Sequence, residues 1–221
     1  LGVFLFCPLV LCGQPSSHSL TALGTMLSGS RIYLSPQAID QTERTRSYDF
    51  SSSTSLSLAY RYQLTSSSLF QIRTEYLTKE EQSVDPIGTS MLNGYKVVVL
   101  ENSALFQLPL GGTNFRLCIG GGVGLYLASR TYGVDDISAE PIGNALAIDI
   151  HILLSAEYFF LEFVSLRGEV LFRDPQISVE NSFPVNSVLA NGIEYQLKKE
   201  PFRSIVNLNG NVYMLGIACY F

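Results

Sequence analysis

Residues 147–159 admit one secondary structure. Ile148, Ile150, Ile152, Leu154, Ala156 and Tyr158 share one parity, and Asp149, His151, Leu153, Ser155 and Glu157 share the other. A helix of period 3.6 would scatter both classes around its surface, whereas a strand gives each class its own face. The run is also long. Soluble strands mostly span about 5–6 residues, while a tilted membrane-spanning strand needs about 9–11. The same alternation returns in residues 55–64, 70–76, 100–108, 115–128 and 164–172, and it ends the chain at 213–221. A less regular stretch, residues 20–34, completes eight predicted strands.

The connections between them come in two sizes. Residues 65–68, 110–114 and 159–163 are short, and residues 35–53, 80–94, 131–144 and 174–204 are long. Long and short alternate without exception. An up-and-down meander then puts every long loop at one end and every tight turn at the other. The predicted fold is all-β, an eight-stranded up-and-down antiparallel transmembrane β-barrel. The apolar content of 47% excludes a disordered chain, and a net charge of −5 argues against nucleic-acid binding.

Side-chain size assigns the faces. Ser55, Ser57, Ala59, Ser103, Gly120, Gly122, Gly124, Ser155 and Ser165 all fall in the polar class. An eight-stranded barrel has room inside for little beyond its own side chains, so the small class belongs there. The bulky Leu, Ile, Val, Phe and Tyr class then faces lipid. Charges follow the same parity: Arg61, Arg73, Glu75, Arg116, Asp149, Glu157, Arg167 and Glu169 join His151 in a predicted polar network of the lumen. A cation at mid-depth on the outer wall would cost about 2–4 kcal/mol. Lys96 has the other parity but lies beside a long loop. The four long loops hold 13 of the 19 acids and five of the 14 basic residues, a net of −8.

Residues 1–12 form an apolar run broken only by Pro8, too short to cross a bilayer and of signal-peptide length. No Met or basic stretch precedes it, as expected if the sequence starts inside its own signal. The predicted organisation is a signal peptide over 1–13, a linker over 14–19 and a barrel over 20–221. A signal cleaved near Gly13 removes Cys7 and Cys12, with lipidation of Cys12 as the alternative. Cys118 and Cys219 remain. Their spacing fits no metal motif, and their parities place them on opposite faces, as two free thiols.

The last strand carries a resemblance. Tyr213, Leu215, Ile217, Cys219 and Phe221 resemble the C-terminal signature of outer-membrane barrels, an aromatic terminal residue preceded by alternating apolar positions. The hairpin formed by 100–110 and 115–130 is similar to that of small barrels of the OmpX and PorT-like families. The resemblance covers residues 20–221. It implies a bacterial outer-membrane location and recognition of those five residues by the barrel assembly machinery. It implies no biochemical activity.

Three motifs carry chemistry elsewhere. Gly120-Gly121-Gly122-Val123-Gly124 lies inside a strand with no helix after it, so it serves close packing rather than a nucleotide. His151, Ser155 and Glu157 resemble the residue set of lipid A deacylases. His151 and Ser155 are four positions apart, about 13 Å along a strand, beyond nucleophile–base contact. Loop acids Glu80, Glu81, Asp85, Asp135, Asp136 and Glu140 lack the spacing of a calcium loop.

The expected molecule is therefore a non-enzymatic outer-membrane barrel with no cofactor and no metal. Its lumen is filled by side chains rather than open as a pore. Its role is structural, or surface recognition through the four long acidic loops. Its partners are outer-membrane lipid, the assembly machinery and an extracellular ligand at the loops. Two other classes stay open: a membrane-embedded lipid-modifying hydrolase or acyltransferase, and a soluble exported barrel that binds an apolar ligand. In the soluble barrel, Ile148, Ile150 and Ile152 would point inwards.

Overall fold

The computed structural model describes residues 17–84, 88–109, 114–143 and 145–221. The signal peptide and the first half of the linker lie outside the described residues. The described strands, in chain order, are β1 (His18–Leu27), β2 (Ser30–Tyr33), β3 (Ser47–Phe50), β4 (Ser53–Gln63), β5 (Ser68–Val84), β6 (Ser90–Leu108), β7 (Phe115–Val134) and β8 (Ile137–Pro141). They continue with β9 (Ala145–Leu161), β10 (Val164–Arg173), β11 (Gln176–Ser182), β12 (Ser187–Ala190), β13 (Ile193–Gln196), β14 (Phe202–Asn207) and β15 (Gly210–Tyr220). A single-turn helix, α1 (Gln41–Thr45), starts at an Asp40 cap whose carboxylate accepts from the Thr42 N–H at 2.7 Å.

Eight strands close the barrel in the order β1-β4-β5-β6-β7-β9-β10-β15, with β15 back against β1. Every pairing is antiparallel, and the fold is the predicted eight-stranded up-and-down barrel. β1 begins at His18, inside the stretch read as linker. The faces are as the parity requires. Ile148, Ile150 and Ile152 point outwards and are 67%, 76% and 59% exposed. On the same strand His151, Leu153, Ser155 and Glu157 are buried. Phe106, Phe115, Tyr158, Phe160, Phe163 and Phe221 ring the tight-turn end of the outer wall, the position of an interfacial aromatic girdle.

The long connections are not wholly loops, contrary to the sequence reading; much of their length is strand. β5 and β6 continue as a paired hairpin up to Val84 and Ser90, through residues 80–94. The other three long segments supply β3, β8, β11 and the start of β14, and the upper part of the first predicted strand supplies β2; these pair in the order β3-β2-β14-β11-β8 and join the upper part of β7 through β8. With the upper ends of β6 and β5 they make a second ring of eight strands on top of the first.

Polarity reverses between the two rings. Along β5 the outward residues run Phe70, Ile72, Thr74 and Tyr76, then Thr78, Glu80 and Gln82. The inward residues run Gln71, Arg73 and Glu75, then Leu77. On β6 the outward Leu100 and Val98 give way to Lys96, while the inward Glu101 gives way to Val99, Val97 and Tyr95. The lower ring is thus apolar outside and polar inside, as lipid demands. The upper ring is polar outside and packed inside with Leu27, Ile32, Phe50, Leu77, Val97, Ile177, Val206 and Leu208. It has the polarity of a soluble barrel. The reversal lies at the level of Tyr76 and Val98, and this marks the upper edge of the lipid belt.

Glycines let β7 lie close to β6. A Cβ on Gly122 would overlap the Asn102 carbonyl oxygen, and one on Gly120 would overlap that of Ala104. Both obstacles are backbone and cannot swing away. Gly122→Ala should therefore destabilise the barrel by about 1–3 kcal/mol. Urea unfolding in detergent micelles checks this. An unchanged midpoint would show that the two strands are free to part.

Candidate functional site

The strand alternation delivers the buried charges of the lower ring into two groups, each of two Arg and two Glu. The group nearer the tight turns has Arg61 from β4, Glu157 from β9, and Arg167 and Glu169 from β10. Arg61 lies 2.9 Å from Glu169 and 3.6 Å from Glu157, and Arg167 lies 3.1 Å from Glu157. Neutral groups complete the shell. The Gln71 side-chain carbonyl accepts two bonds from Arg61, at 3.0 and 2.6 Å. Thr21 and Ser19 accept from Arg167 at 2.6 and 3.1 Å, and the Tyr220 hydroxyl donates to Glu157 at 2.6 Å. Ser165 also donates to Glu157.

The second group lies one level higher and joins Arg73 and Glu75 of β5, Glu101 of β6 and Arg173 of β10. Glu101 is its hub. It pairs with Arg73, accepts from Arg173 at 2.9 Å and accepts from the Tyr126 hydroxyl at 2.8 Å. Glu75 pairs with Arg73 at 3.5 Å and with Arg173 at 3.2 Å. All eight charged side chains are at least 95% buried. Each group is formally neutral, which is what keeps so many charges out of water at tolerable cost.

The predicted network is therefore brought together in six of its nine members: Arg61, Arg73, Glu75, Glu157, Arg167 and Glu169. Asp149 turns away and accepts from the exposed backbone N–H of Asp174 at 2.9 Å. Arg116 is half-buried at the tight-turn rim, over the rings of Phe159 and Tyr220 at 5.1 and 5.9 Å. His151 is buried and joins Ser103 of β6, with Nε2 to Oγ at 2.7 Å. Glu101 and Arg173 were missed. Glu101 stands in the lumen parity of its strand, so parity applied strictly includes it. Arg173 ends its strand beside a segment read as loop.

The three residues compared with a lipid deacylase do not meet as one. Ser155 accepts from Arg61 at 3.1 Å, and Glu157 belongs to Arg167, Ser165 and Tyr220. The Ser–His contact that does form, Ser103 to His151, has both residues under 5% exposed, and His151 Nδ1 finds no partner among the described residues. The nucleophile–base contact thus lacks an orienting acid. Cys118 is buried and Cys219 half-buried. In the last strand Tyr213, Leu215, Ile217 and Phe221 are exposed on the outer wall.

Loop acids lie in the upper ring. Glu80 pairs with Lys96 at 3.7 Å and Glu81 with Lys79 at 3.1 Å, while Asp85 lies outside the described residues. Glu81 has a structural task. No backbone pairing joins β3 to β5 among the described residues, and Glu81 bridges the gap by accepting from the Ser51 hydroxyl at 2.9 Å and from Tyr48 at 3.4 Å. Partial burial pushes its carboxyl up, but the bonds from Ser51 and Lys79 outweigh this and hold it below the ordinary range. A depressed carboxyl stabilises above its unfolded value, and that gain is lost as pH falls through the folded one. Protection factors of the β3 amides should therefore fall as pH drops below the ordinary carboxylate range, and Glu81→Gln should remove that pH step. A step that survives the substitution would assign it to another group.

No protein-family model matches the chain, and no curated protein matches it. Solved structures do. OprG, an outer membrane protein from Pseudomonas aeruginosa, superposes with a TM-score of 0.65 at 16% identity, over 95% of this chain and 98% of that one. Ail, the attachment invasion locus protein of Yersinia pestis, gives 0.48 at 10% identity over 93% and 99%. Neisserial surface protein A gives 0.46 at 10% identity over 93% and 98%. The OprG likeness shows the fold, that of a small outer-membrane β-barrel.

Proposed function

We propose that this chain is an integral protein of the bacterial outer membrane, non-enzymatic, with a closed lumen and a recognition surface on its upper ring. The observation that carries this reading is the stacking of two neutral charge groups beneath an apolar core. An ion entering from either end would have to displace paired Arg and Glu side chains and then cross Leu77, Val97, Ile177 and Val206, all 0% exposed. A continuous water path has no room in such a bore. The outward Ile, Leu and Val belt favours lipid as the surrounding medium over a soluble carrier. The buried Ser103–His151 pair, with no orienting acid, favours a binding protein over a hydrolase.

Within that reading, the upper ring with its acidic segments is what meets an extracellular ligand. The outward Tyr213, Leu215 and Ile217, followed by Cys219 and Phe221, are what the assembly machinery reads. The OmpX and PorT-like families remain the reading of kinship. Planar-bilayer recording tests closure. Purified barrel should give no reproducible conductance steps, and a lipid A mass-shift assay should show no lost acyl chain. Open-channel steps would overturn the closed lumen. Acyl loss that disappears in His151→Ala would overturn the non-enzymatic reading.

A further inference from the structure

The outer wall of the lower ring has one position that its surroundings do not explain. On β6 the outward residues from the upper edge downwards are Lys96, Val98, Leu100, Asn102, Ala104 and Phe106. Lys96 stands where the wall turns polar, and Phe106 belongs to the aromatic girdle. Asn102 therefore sits within the apolar belt, about 13 Å along the strand from Phe106 and about 20 Å from Lys96. Its cross-strand neighbours are Ile72 on β5 and Val123 on β7. Thr74, exposed, lies diagonally beside it.

Asn102 has no side-chain hydrogen bond or other polar contact among the described residues. An amide in hydrocarbon without a partner is strongly unfavourable, and lipid tails offer neither donor nor acceptor. The wall around it is also low. Ala104 follows it on β6, with the outward Gly121 of β7 as its cross-strand partner, so a facing backbone can come close. The amide carries one acceptor and one NH2 donor group. Two such amides related by a two-fold axis can exchange two hydrogen bonds, which makes the patch self-complementary.

We propose that this wall is a pairing face, and that its occupant is a second copy of the same chain, with β6 of each copy facing the other and Asn102 bonded to its equivalent at the axis. The proposal rests on the membrane reading above. It assigns an oligomeric state that the closed lumen does not require.

The test uses the full chain in liposomes of phosphatidylcholine and phosphatidylglycerol, diluted through a series of protein-to-lipid ratios. Association is read by energy transfer between differently labelled copies, and insertion by heat-modifiable migration of the same samples. Wild type should insert and self-associate. Asn102→Leu should insert equally well and associate about tenfold more weakly, because only the intermolecular amide bonds are lost. In a background with the native cysteines replaced by serine, Ala104→Cys should cross-link to its own copy. Leu215→Cys, on the opposite wall, should not. Inserted wild type that stays monomeric, unchanged association of Asn102→Leu, or cross-linking through Leu215→Cys alone would each overturn the pairing face. Failure of wild type to insert would overturn the membrane reading and the pairing with it.

Discussion

Glu101→Ala is expected to destabilise the folded barrel by about 3–5 kcal/mol, the range for removing one partner from a buried ion pair. The magnitude follows from its position as hub. Arg73 and Arg173 both use it, and Tyr126 donates to it. Once it is gone, two buried guanidiniums are left to share Glu75. Water cannot easily replace the missing carboxylate, because Leu77, Val97 and Val99 close the bore directly above. Guanidinium unfolding in detergent micelles, followed by heat-modifiable migration, gives the measurement. The double variant Glu101→Ala with Arg73→Met should recover part of the loss, since it removes one orphaned charge with its partner. A loss below about 1 kcal/mol in the single variant would mean that the group does not hold its charges by mutual neutralisation.

Ile150→Arg is the second large effect. Ile150 is 76% exposed in the middle of β9, among Ile148, Ile152 and Leu154, all outward. A guanidinium there meets hydrocarbon and has no carboxylate on its face of the strand. The expected cost is about 2–4 kcal/mol in lipid. Ile150→Leu should be close to neutral, which separates the charge from any loss of packing. Folding yields into liposomes measure both. Equal yields for Arg and Leu would place this face in water and revive the soluble-barrel reading.

Much of the lower ring was legible because parity along a strand is a purely local signal. Ile148 to Tyr158 state their own faces, and the buried Arg61, Arg73 and Arg167 follow from the same count. Two departures near the lumen have local causes. Arg173, omitted from the network, stands at the edge of a segment read as loop, and Asp149, included in it, keeps lumen parity but accepts from the N–H of Asp174 instead. Neither is visible from alternation.

The upper ring was not read, for two reasons. Its strands β11 and β14 pair across long sequence separations, such as Ile205 with Tyr33 of β2, and nothing local announces such partners. The reversal of polarity did leave a trace, in adjacent apolar pairs where one face hands over to the other. Tyr76-Leu77, the Val97 to Leu100 run, Leu171-Phe172 and Val212-Tyr213 all sit at that level. Each looks like a blemish in the alternation. Together they mark the height at which lipid ends.

The most direct measurement of this architecture is a spin-label scan of β5, one residue at a time from Phe70 to Gln82, in liposomes. Oxygen reports contact with hydrocarbon, and a water-soluble nickel chelate reports contact with solvent. Labels at 70, 72, 74 and 76 should be accessible to oxygen, labels at 78, 80 and 82 to the chelate, and labels at 71, 73, 75 and 77 to neither. Chelate access at 73 or 75 would show a water-filled lumen, and oxygen access continuing through 80 and 82 would show that polarity does not reverse; either result contradicts a closed membrane barrel capped by an inverted ring.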